Sequence, residues 1–523
     1  MTLLAGNPLS GAIPADGLRA HMRFLASDLL EGRHSGTRGY DLAAAYVAAR
    51  FEAAGLEPGS GASYYQPVPF REGRVDYERL EFSVRRGPET RRLEPLRGYL
   101  PLPSLALEQG EIEAPIVYAG FGVTAPERGY DDYAGLDVRG KIVLIAGGAP
   151  ASFPSDERAH YSGPRGKRDN ALAHGVAGIL SFVLPQDRAR FPWARLVSQS
   201  RKGSSGWRHA DGRVEGASPQ LQAGAMLSPA EAEAIFGGKQ AFETAVSDAE
   251  AGRPKGGPLG VSARLRVATR HRDFESPNVV AVIKGADPVL GQEAVVFSAH
   301  LDHEGLGESE DGDGIWNGFF DNASGVASLI EIARALAAEK VQPLRSIVFL
   351  ACVAEEQGLL GSDYFVHHPV LEPVANVNTD MFLGIFPLRE VVAFGATHSS
   401  LGAVVEQEAK RAGFRLADDP FPRETVFVRS DQYSFVKRGV PALMLAAGFG
   451  SLDPGVDGRR AILAWMQGRY HRPSDDDAQP VDWDSMVRFA ELNRRVGQRL
   501  ASDPARPRWR DGDFFGQRFG GQP

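Results

Sequence analysis

The spacing of apolar residues near the beginning of the chain predicts two amphipathic helices. Apolar positions recur every three or four residues between about residues 16 and 55, and Gly55 ends the pattern. The positions with this spacing are Leu18, Met22, Leu25 and Leu29 in the first helix and Tyr40, Ala44, Val47, Phe51 and Ala54 in the second. Each helix has one apolar face, so we expect both helices to pack against a larger body.

A second pattern, in which short apolar runs alternate with helical segments, extends from about residue 278 to 501. The runs cover residues 279–284, 294–299, 346–353, 374–378, 391–395 and 442–446. Several runs are apolar at consecutive positions, which is typical of strands covered on both faces. Between them, residues 323–339 repeat apolar positions at helical spacing. This alternation predicts an α/β fold, in which helices cover a mostly parallel or mixed sheet.

A third sequence pattern lies between these two regions and predicts a smaller inserted domain. Short β-rich runs at 112–118 and 141–146 are separated by clusters of turn residues, and glycine and proline are frequent. We therefore expect a β-rich insert at residues 111–265. The remaining predicted regions are N-terminal helices and a strand at 1–110, an α/β core at 266–505, and a C-terminal tail at 506–523.

Composition and charge exclude several classes of protein. The chain has 523 residues, and 58 basic against 66 acidic side chains give a net charge of -8, so we expect no nucleic-acid partner. The single cysteine, Cys352, excludes an intrachain disulfide framework and a cysteine-rich zinc finger. No run of apolar residues is long enough to predict a membrane span, and the first 15 residues lack the pattern of a signal peptide.

Metal-ligating side chains recur where the predicted strands end. In open α/β sheets, ligands bind beyond the carboxyl ends of the strands. The candidates at strand ends or at the start of a helix are His300, Asp302, Asp321, Glu355, Glu356 and Asp380, and His471 lies in the later segment 469–477. A histidine or a glutamate pair alone is more often structural, but so many candidates at one end of a sheet favour a metal site.

These residue types suit a pair of zinc ions. We expect Asp321 to bridge the ions, with His300 and Asp380 completing the first site and Glu356 and His471 the second. That arrangement gives each ion three protein ligands and leaves a position for water, as in catalytic zinc sites. Three carboxylates and a shared hydroxide would balance the four positive charges, and mixed imidazole and carboxylate ligands suit zinc best, with cobalt or manganese as possible substitutes.

Two further acidic residues have predicted roles in hydrolysis. Asp302, two residues after His300, is predicted to accept the free ring N–H of that histidine and to orient it. Glu355 is adjacent to Glu356 and points in a different direction, so we expect it to act as the general base on water and then to protonate the leaving amine. Two metal ions at one site activate water and polarise a carbonyl group, so the chemistry points to hydrolysis.

The motifs around these residues resemble those of the di-zinc exopeptidases that include bacterial secreted aminopeptidases and glutamate carboxypeptidase. The matching segments are SAHLDHEGL at 298–306, GFFDNASGVA at 318–327, AEEQGLLGS at 354–362, NTDM at 378–381, RSDQYSFVKRGVPALML at 429–445 and YHRPSD at 470–475. The N-terminal segments LEGR at 30–33 and YQPV at 65–68 are also similar to that family. Residues 111–260 resemble a protease-associated insert domain at AGFGV, RGKIVLIA and GVAGIL.

The resemblance implies the same ligands, the same base and the same orienting aspartate, and it adds further expectations. Tyr470 corresponds to a phenol that hydrogen-bonds the oxyanion, although a tyrosine of the core is about as frequent at such a position. The peptide bond between Asp321 and Asn322 is expected to be cis. The family also implies peptide substrates, a periplasmic or extracellular location, and an insert over the mouth of the site.

The leading interpretation is a zinc metallo-aminopeptidase, and the alternatives stay open at this point. A carboxypeptidase or dipeptidase of the same fold differs only in pocket residues, and the sequence His300-Leu301-Asp302-His303 favours the aminopeptidase branch. A branch that cyclises N-terminal glutamine usually has one zinc and no insert, and inert binding proteins of this fold have lost ligands. Oligomeric state and residue preference are not predicted.

Several residues are interpreted without a role at the site. The four further histidines are set aside because they lie in polar segments where surface histidines are common, namely His303, His367, His368 and His398. Cys352 is predicted to be a small buried residue rather than a nucleophile. The acidic loop at 304–317 is interpreted as solvated, with a possible attraction for a substrate amino group.

Overall fold

The computed structural model describes residues 11–253, 255–339, 342–422, 424 and 426–521. The described residues form two compact units along the chain. The first unit combines those of Met1–Val68 with those of Glu275–Pro523, and the second unit comprises those of Pro69–Phe274.

The α-helices are distributed over both units. In chain order they are α1 (Ala15–Leu25), α2 (Arg38–Ala53), α3 (Ser155–Ser162), α4 (Pro164–Ala173), α5 (Trp193–Ser200), α6 (Pro229–Phe236), α7 (Lys239–Glu250), α8 (Ser324–Ala337), α9 (Leu360–His367), α10 (Leu401–Arg411), α11 (Gln432–Lys437), α12 (Gly458–Gly468), α13 (Trp483–Ser502) and α14 (Phe514–Phe519). Within the described residues, no helix is both long and apolar enough for a membrane crossing.

The β-strands are mostly short. In chain order they are β1 (Glu57–Pro58), β2 (Tyr65–Val75), β3 (Glu81–Arg86), β4 (Glu89–Arg92), β5 (Tyr99–Pro101), β6 (Gln109–Tyr118), β7 (Thr124–Ala125), β8 (Tyr130–Asp131), β9 (Ile142–Ala146), β10 (Gly178–Phe182), β11 (Ser204–Trp207), β12 (Ala223–Leu227), β13 (Gly257–Ile283), β14 (Glu293–His300), β15 (Gly305–Glu310), β16 (Asp313–Trp316), β17 (Ser346–Cys352), β18 (Glu372–Thr379), β19 (Glu390–Phe394), β20 (Arg415–Ala417) and β21 (Ala442–Ala447).

The first unit is built on a mixed sheet with a parallel centre. Its strand order is β1-β13-β17-β14-β18-β21-β19-β20, in which β17, β14, β18 and β21 are parallel neighbours. Strands β14 and β17 are buried along almost their whole length, as consecutive apolar positions predicted. The predicted α/β fold with a mostly parallel or mixed sheet is therefore confirmed.

Helices cover both faces of this sheet. Successive strand residues point to opposite faces, and in β14 and β17 the residues on both faces are mostly apolar and buried. Phe297 of β14 stacks on Phe349 of β17, with ring centroids 5.5 Å apart. On that face α13 comes very close to the sheet, since a Cβ added at Gly497 would lie 2.0 Å from the Phe297 ring. On the opposite face Val296 and Val348 belong to a core cluster with residues of α9, α11 and α14.

The N-terminal helices differ from the prediction at one position. Leu18, Met22 and Leu25 of α1 are buried, but Leu29 is 76% exposed. The helix ends at Leu25, and a 3₁₀ segment follows at Asp28–Arg33. This change of direction turns Leu29 away from the face that the helical spacing predicted.

The second unit contains its own mixed sheet and its own helices, α3 to α7. Its strand order is β4-β3-β13-β6-β9-β10-β12-β5, with β6, β9, β10 and β12 parallel. The unit begins at Pro69, before the predicted insert boundary at 111, and ends at Phe274, after 265. The earlier start has a physical reason: β3 and β5 pair with β13 and β12 of this sheet. The strand β13 itself runs through the boundary, so a change of composition did not mark it.

The C-terminal tail is held to the first unit by aromatic packing. Phe515 of α14 is fully buried in the core cluster on the α9 and α11 face. The indole N–H of Trp509 donates to the backbone carbonyl of Gly439 over 2.7 Å. The last two residues of the predicted tail lie outside the described residues.

Candidate metal centre

Three neighbouring strands deliver candidate ligands to one edge of the sheet. Strands β14, β17 and β18 are parallel neighbours, so their carboxyl ends lie together. His300 is the last residue of β14, Glu355 and Glu356 follow β17, and Asp380 follows β18. The expectation that these residues meet at one end of the sheet is met by the structure.

The fourth element at this edge is a tight turn at Phe319–Ala323, which precedes α8 and carries Asp321; Asp321 and Asn322 have non-helical backbone angles within it. The peptide bond between Asp321 and Asn322 is cis, as the resemblance implied. The Asn322 side chain ties the segment to the neighbouring strand end, because its amide donates to the carbonyl of Thr379 over 3.0 Å and its Oδ1 accepts from the N–H of Met381 over 3.2 Å. The turn therefore places Asp321 beside Asp380.

One set of ligand atoms gathers around His300. Its Nε2 lies 3.1 Å from Oδ1 of Asp380 and 3.2 Å from Oδ1 of Asp321. Ligand atoms of these three residues all lie within 4.8 Å of one another. One imidazole and two carboxylates at such spacing form a group that fits a zinc ion.

A second set uses the other oxygen of Asp321. His471 Nε2 lies 3.2 Å from Oδ2 of Asp321 and 3.4 Å from Oε2 of Glu356. His471 comes shortly after α12 and has a positive φ of 51°, an uncommon conformation outside glycine. The structure thus brings together all five predicted ligands, and the two oxygens of Asp321 face two different histidines.

The electrostatics of the cluster favour bound cations. Burial alone would lower the pKa of His471, but Glu356 and Asp321 outweigh it and raise the pKa to about 9. Burial likewise opposes a charge on His300, yet Asp380 and Glu355 raise its pKa well above the ordinary value. The pKa of Asp321 stays well below its usual range, because His300 and His471 outweigh the effect of burial. Carboxylates that attract protons to neighbouring imidazoles form a field that attracts metal ions as well.

The predicted base lies in the same cluster. Ligand atoms of Glu355, Glu356 and His300 lie within 4.8 Å of one another. Burial, followed by the charges of Asp380 and Glu356, raises the pKa of Glu355 well above its usual range. A carboxylate with a raised proton affinity beside a candidate metal site has the property that a general base requires.

Tyr470 lies close enough to the cluster to interact with its charges. Burial raises the pKa of its phenol well above the ordinary value, and Asp321 and Glu356 raise it further, while Arg429 opposes them. Its ring packs on His471 with centroids 4.0 Å apart. The hydroxyl therefore keeps its proton at neutral pH and can donate a hydrogen bond.

The structure corrects the predicted contact of Asp302. The ring Nδ1 of His300 lies 3.1 Å from the backbone carbonyl oxygen of Asp302 and not from its carboxylate. The carboxylate instead accepts the backbone N–H groups of Glu355 over 3.0 Å and of Glu356 over 3.3 Å. Asp302 therefore orients His300 through its main chain and fixes the glutamate pair through its side chain. Spacing alone could not distinguish the two acceptors of one residue.

Two buried residues that support the Asp321 turn had no predicted role. Asp475 accepts the backbone N–H groups of Phe320, over 3.1 and 3.2 Å, and of Asp321, over 3.0 Å. The guanidinium of Arg33 donates to the carbonyls of Leu25, Leu301, Asn317 and Gly318, which flank the ligand loops. Burial lowers the pKa of Arg33 to about 10, against the opposing carboxylates of Asp302 and Asp475, so it remains a cation at neutral pH. Arg33 lies in the segment LEGR and Asp475 in the segment YHRPSD. The similarity of these segments to the family was therefore the signal in the sequence that could have identified both residues.

His303 was set aside as a surface histidine, and the structure shows that this was wrong. Its side chain is fully buried, and its Nδ1 lies 2.8 Å from Oε1 of Glu356. Glu304 also lies at the metal centre, since its Oε1 is 3.4 Å from Nδ1 of His471. The polar neighbours of His303 in the sequence suggested exposure, but these residues are polar because they face a charged site.

Most of the other residues without a predicted role at the site lie where the sequence predicted, and His398 is an exception. His367 is exposed, as predicted, and contacts the backbone carbonyl of Asp363. The prediction of a surface position was wrong for His398, whose side chain is only 15% exposed because it stacks on Phe427 and contacts the carboxylate of Asp513. Cys352 is fully buried, and burial raises the pKa of its thiol well above the ordinary value, as for an inert core cysteine. The acidic loop forms the hairpin of β15 and β16, in which Glu308, Glu310, Asp311 and Asp313 are exposed.

A comparison with protein families supports this picture. The model of Peptidase family M28 matches residues 278–497, nearly the whole stretch for which the motifs predicted a metal-dependent exopeptidase. An aminopeptidase from Aneurinibacillus sp. strain AM-1 shares the fold with a TM-score of 0.53 at 18% identity, over 94% of this chain and 95% of that chain.

Curated relatives match shorter stretches. A probable leucine aminopeptidase 2 of Aspergillus oryzae is 38% identical over 108 residues, which is 21% of this chain and 19% of the relative. Aminopeptidase Y of Saccharomyces cerevisiae is 24% identical over 230 residues, which is 42% of this chain and 38% of the relative. The chain thus matches less than half the length of each of these relatives.

Proposed function

We propose that this protein is a zinc-dependent aminopeptidase, which hydrolyses the N-terminal peptide bond of peptides at a site for two zinc ions. The observation that carries the proposal is the bridging position of Asp321. Its Oδ1 lies 3.2 Å from the ligand nitrogen of His300, and its Oδ2 lies 3.2 Å from that of His471. A carboxylate whose two oxygens face two separate groups of ligands fits a pair of ions better than a single ion.

The residues that would hold the metal ions follow from this geometry. His300, Asp380 and Oδ1 of Asp321 would hold the first ion, and His471, Glu356 and Oδ2 of Asp321 the second. Their mixed imidazole and carboxylate donors suit zinc, and cobalt or manganese could replace it. When bound, the ions lower the pKa of water and polarise the carbonyl of the scissile bond.

The chain supplies the proton transfers around that chemistry. A carboxylate oxygen of Glu355 accepts the proton of the attacking water and then donates it to the nitrogen of the leaving amine. The raised pKa of Glu355 supports this assignment. The Tyr470 hydroxyl, which stays protonated because burial raises its pKa, donates a hydrogen bond to the oxygen that gains charge in the transition state.

The names of similar proteins favour the interpretation as an aminopeptidase over a carboxypeptidase or dipeptidase of the same fold. The relatives from Aspergillus oryzae and Saccharomyces cerevisiae and the structure from Aneurinibacillus are all named as aminopeptidases. An inert binding protein is disfavoured because every predicted ligand and the base lie in the cluster. We further propose that residues 111–265, which lie within the second unit at Pro69–Phe274, belong to a protease-associated insert domain and that the substrates are peptides.

A substrate panel with metal analysis tests the proposal. Amino-acid p-nitroanilides and peptides with a free or a blocked N-terminus are incubated with the purified protein, with and without a chelator. We expect cleavage only of substrates with a free amino group, loss of activity with the chelator, and recovery with zinc. Release of C-terminal residues from blocked peptides would instead support a carboxypeptidase, and fewer than one zinc ion per chain at neutral pH would support an inert protein.

A further inference from the structure

The imidazole of His303 lies beside a predicted metal ligand without being one of the five. Its Nδ1 lies 2.8 Å from Oε1 of Glu356, while Oε2 of Glu356 lies 3.4 Å from Nε2 of His471. The two oxygens of this carboxylate therefore face two different histidines. The His303 side chain is fully buried, and the side chain of Glu356 is only 8% exposed, so water does not compete effectively for the contact.

The contact has a defined hydrogen-bond direction. A carboxylate that binds a metal ion is ionised, so the oxygens of Glu356 accept hydrogen bonds and do not donate them. Nδ1 of His303 must then carry the hydrogen. Nε2, the other ring nitrogen of His303, has no hydrogen-bond partner among the described residues, so the ring makes its side-chain hydrogen bond there through Nδ1.

The backbone around His303 is built to hold this ring in place. The N–H of His303 donates to the carbonyl of Arg33 over 3.3 Å. Gly318 leaves the space that the ring occupies, because a Cβ added there would lie 2.6 Å from two atoms of the imidazole. Gly318 also has a positive φ of 60°, so a larger side chain is disfavoured for two independent reasons.

We propose that His303 is a positioning residue, whose Nδ1–H holds Oε1 of Glu356 so that only Oε2 is presented to the second metal ion. This inference rests on the proposed function, and it adds a residue outside the predicted ligand set. A carboxylate that can rotate can bind a metal ion through both oxygens and fill the position that a catalytic site keeps open. A hydrogen bond to one oxygen prevents that change, as hydrogen-bonded partners of ligands do in other metal sites.

The alternative is that His303 is itself a ligand, since ligand atoms of His303, Asp321 and Glu356 also lie within 4.8 Å of one another. The same nitrogen cannot donate a hydrogen to Glu356 and bind a metal ion. The distance of 2.8 Å between Nδ1 and Oε1 is that of a charge-assisted hydrogen bond and favours the positioning role.

Two substitutions of His303 and one control separate these roles. In His303→Asn the amide nitrogen can take the place of Nδ1 as a donor, whereas His303→Leu fills similar space without a donor. The control is His21→Leu, because His21 is another buried histidine whose Nε2 lies 3.1 Å from a glutamate, Glu331 on α8. Zinc affinity at each site is measured by competition with a chelator, and cobalt absorption spectra report the coordination of each ion.

We expect His303→Leu to weaken the second site by about 10- to 100-fold and to change its cobalt spectrum, with the first site unaltered. His303→Asn should restore most of the affinity and the spectrum, and His21→Leu should change neither. Unaltered affinity and spectrum in His303→Leu would overturn the inference in favour of simple packing. Loss of the second ion in both His303 variants would overturn it in favour of a ligand.

A measurement on the unsubstituted protein covers the case in which His303→Leu does not fold. Nitrogen NMR of the zinc-loaded protein with ¹⁵N-labelled histidine should show for His303 an Nδ1 that carries a hydrogen and binds no metal ion, identified by the signals missing in His303→Asn. A metal-bound or unprotonated Nδ1 would overturn the inference. If the unsubstituted protein itself binds fewer than two zinc ions, the proposed function is wrong, and this result is obtained without any His303 variant. The two failures can therefore be distinguished.

Discussion

Replacement of Asp475 by asparagine tests how the turn that carries the bridging Asp321 is held. Asp475 is fully buried and accepts hydrogen bonds from the backbone of Phe320 and Asp321. It also accepts the side-chain N–H of Gln479 over 2.6 Å. Every one of these partners is a donor, so the site requires acceptors on both oxygens.

An asparagine cannot satisfy these donors in either orientation of its amide. If its NH₂ replaces Oδ2, that group faces the N–H of Asp321, and if it replaces Oδ1, it faces the amide of Gln479. The side-chain amide of Gln479 cannot rotate by 180° without losing a hydrogen bond, because its Oε1 accepts the indole N–H of Trp465 over 2.7 Å. At least one hydrogen bond is therefore lost, and the others change from a charged to a neutral acceptor.

The expected loss of stability follows from these bonds. A hydrogen bond to a charged group contributes about 1.5–3 kcal/mol, and bonds to neutral groups are roughly half as strong. Burial raises the pKa of Asp475, so removal of the charge recovers part of the loss. We therefore expect a decrease of about 2–4 kcal/mol in the free energy of unfolding of the first unit.

The assay is urea unfolding followed by tryptophan fluorescence in the presence of a chelator, together with zinc affinity by competition. The chelator separates the stability of the fold from the binding of metal. The matched control is Asp477→Asn, since Asp477 is 56% exposed in its ion pair with Arg23 and should change stability by less than about 0.5 kcal/mol. We also expect Asp475→Asn to weaken zinc binding by about 10- to 100-fold. A variant with the urea midpoint and zinc affinity of the control would refute this account of the turn.

The remaining predictions concern the base, the second ion and the helix packing. Glu355→Gln should retain its metal content and lose about 10²- to 10⁴-fold in kcat, measured on an amino-acid p-nitroanilide beside elemental analysis; an active variant would remove Glu355 as the base. His471→Ala should bind one zinc ion per chain instead of two, and an unchanged stoichiometry would contradict the assignment of the second site. Gly497→Ala should destabilise the first unit by about 1–3 kcal/mol in the same urea assay, because its Cβ would lie 2.0 Å from the Phe297 ring; an unchanged midpoint would show that α13 moves without cost.

The strands and the ligands at their ends could be predicted because their signals are local. Apolar runs marked the central strands β14, β17 and β18, and parallel strands place their carboxyl ends at one edge. His300, Glu356 and Asp380 were therefore predictable from position, and the structure places them together. The motifs contributed what position could not, such as the cis bond after Asp321.

The domain boundary was not predictable in the same way. The second unit begins at Pro69 because β3 and β5 pair with strands more than 100 residues later in the chain. Such pairing leaves little trace in the composition of the short strands themselves. The boundary at Phe274 lies within a single long strand, β13, which continues through Ser276, Pro277 and Asn278 although these residue types are typical of turns.

The sequence by itself determined the type of fold, the helical and strand segments and the candidate ligands, because each depends on residue type and on spacing along the chain. Only the tertiary structure decided which group of Asp302 contacts His300, that His303 is buried against Glu356, and that Arg33 and Asp475 hold the turn of Asp321. The reason is physical: a loop side chain is oriented by partners that lie tens to hundreds of residues away, and burial and hydrogen bonds arise only when those partners meet.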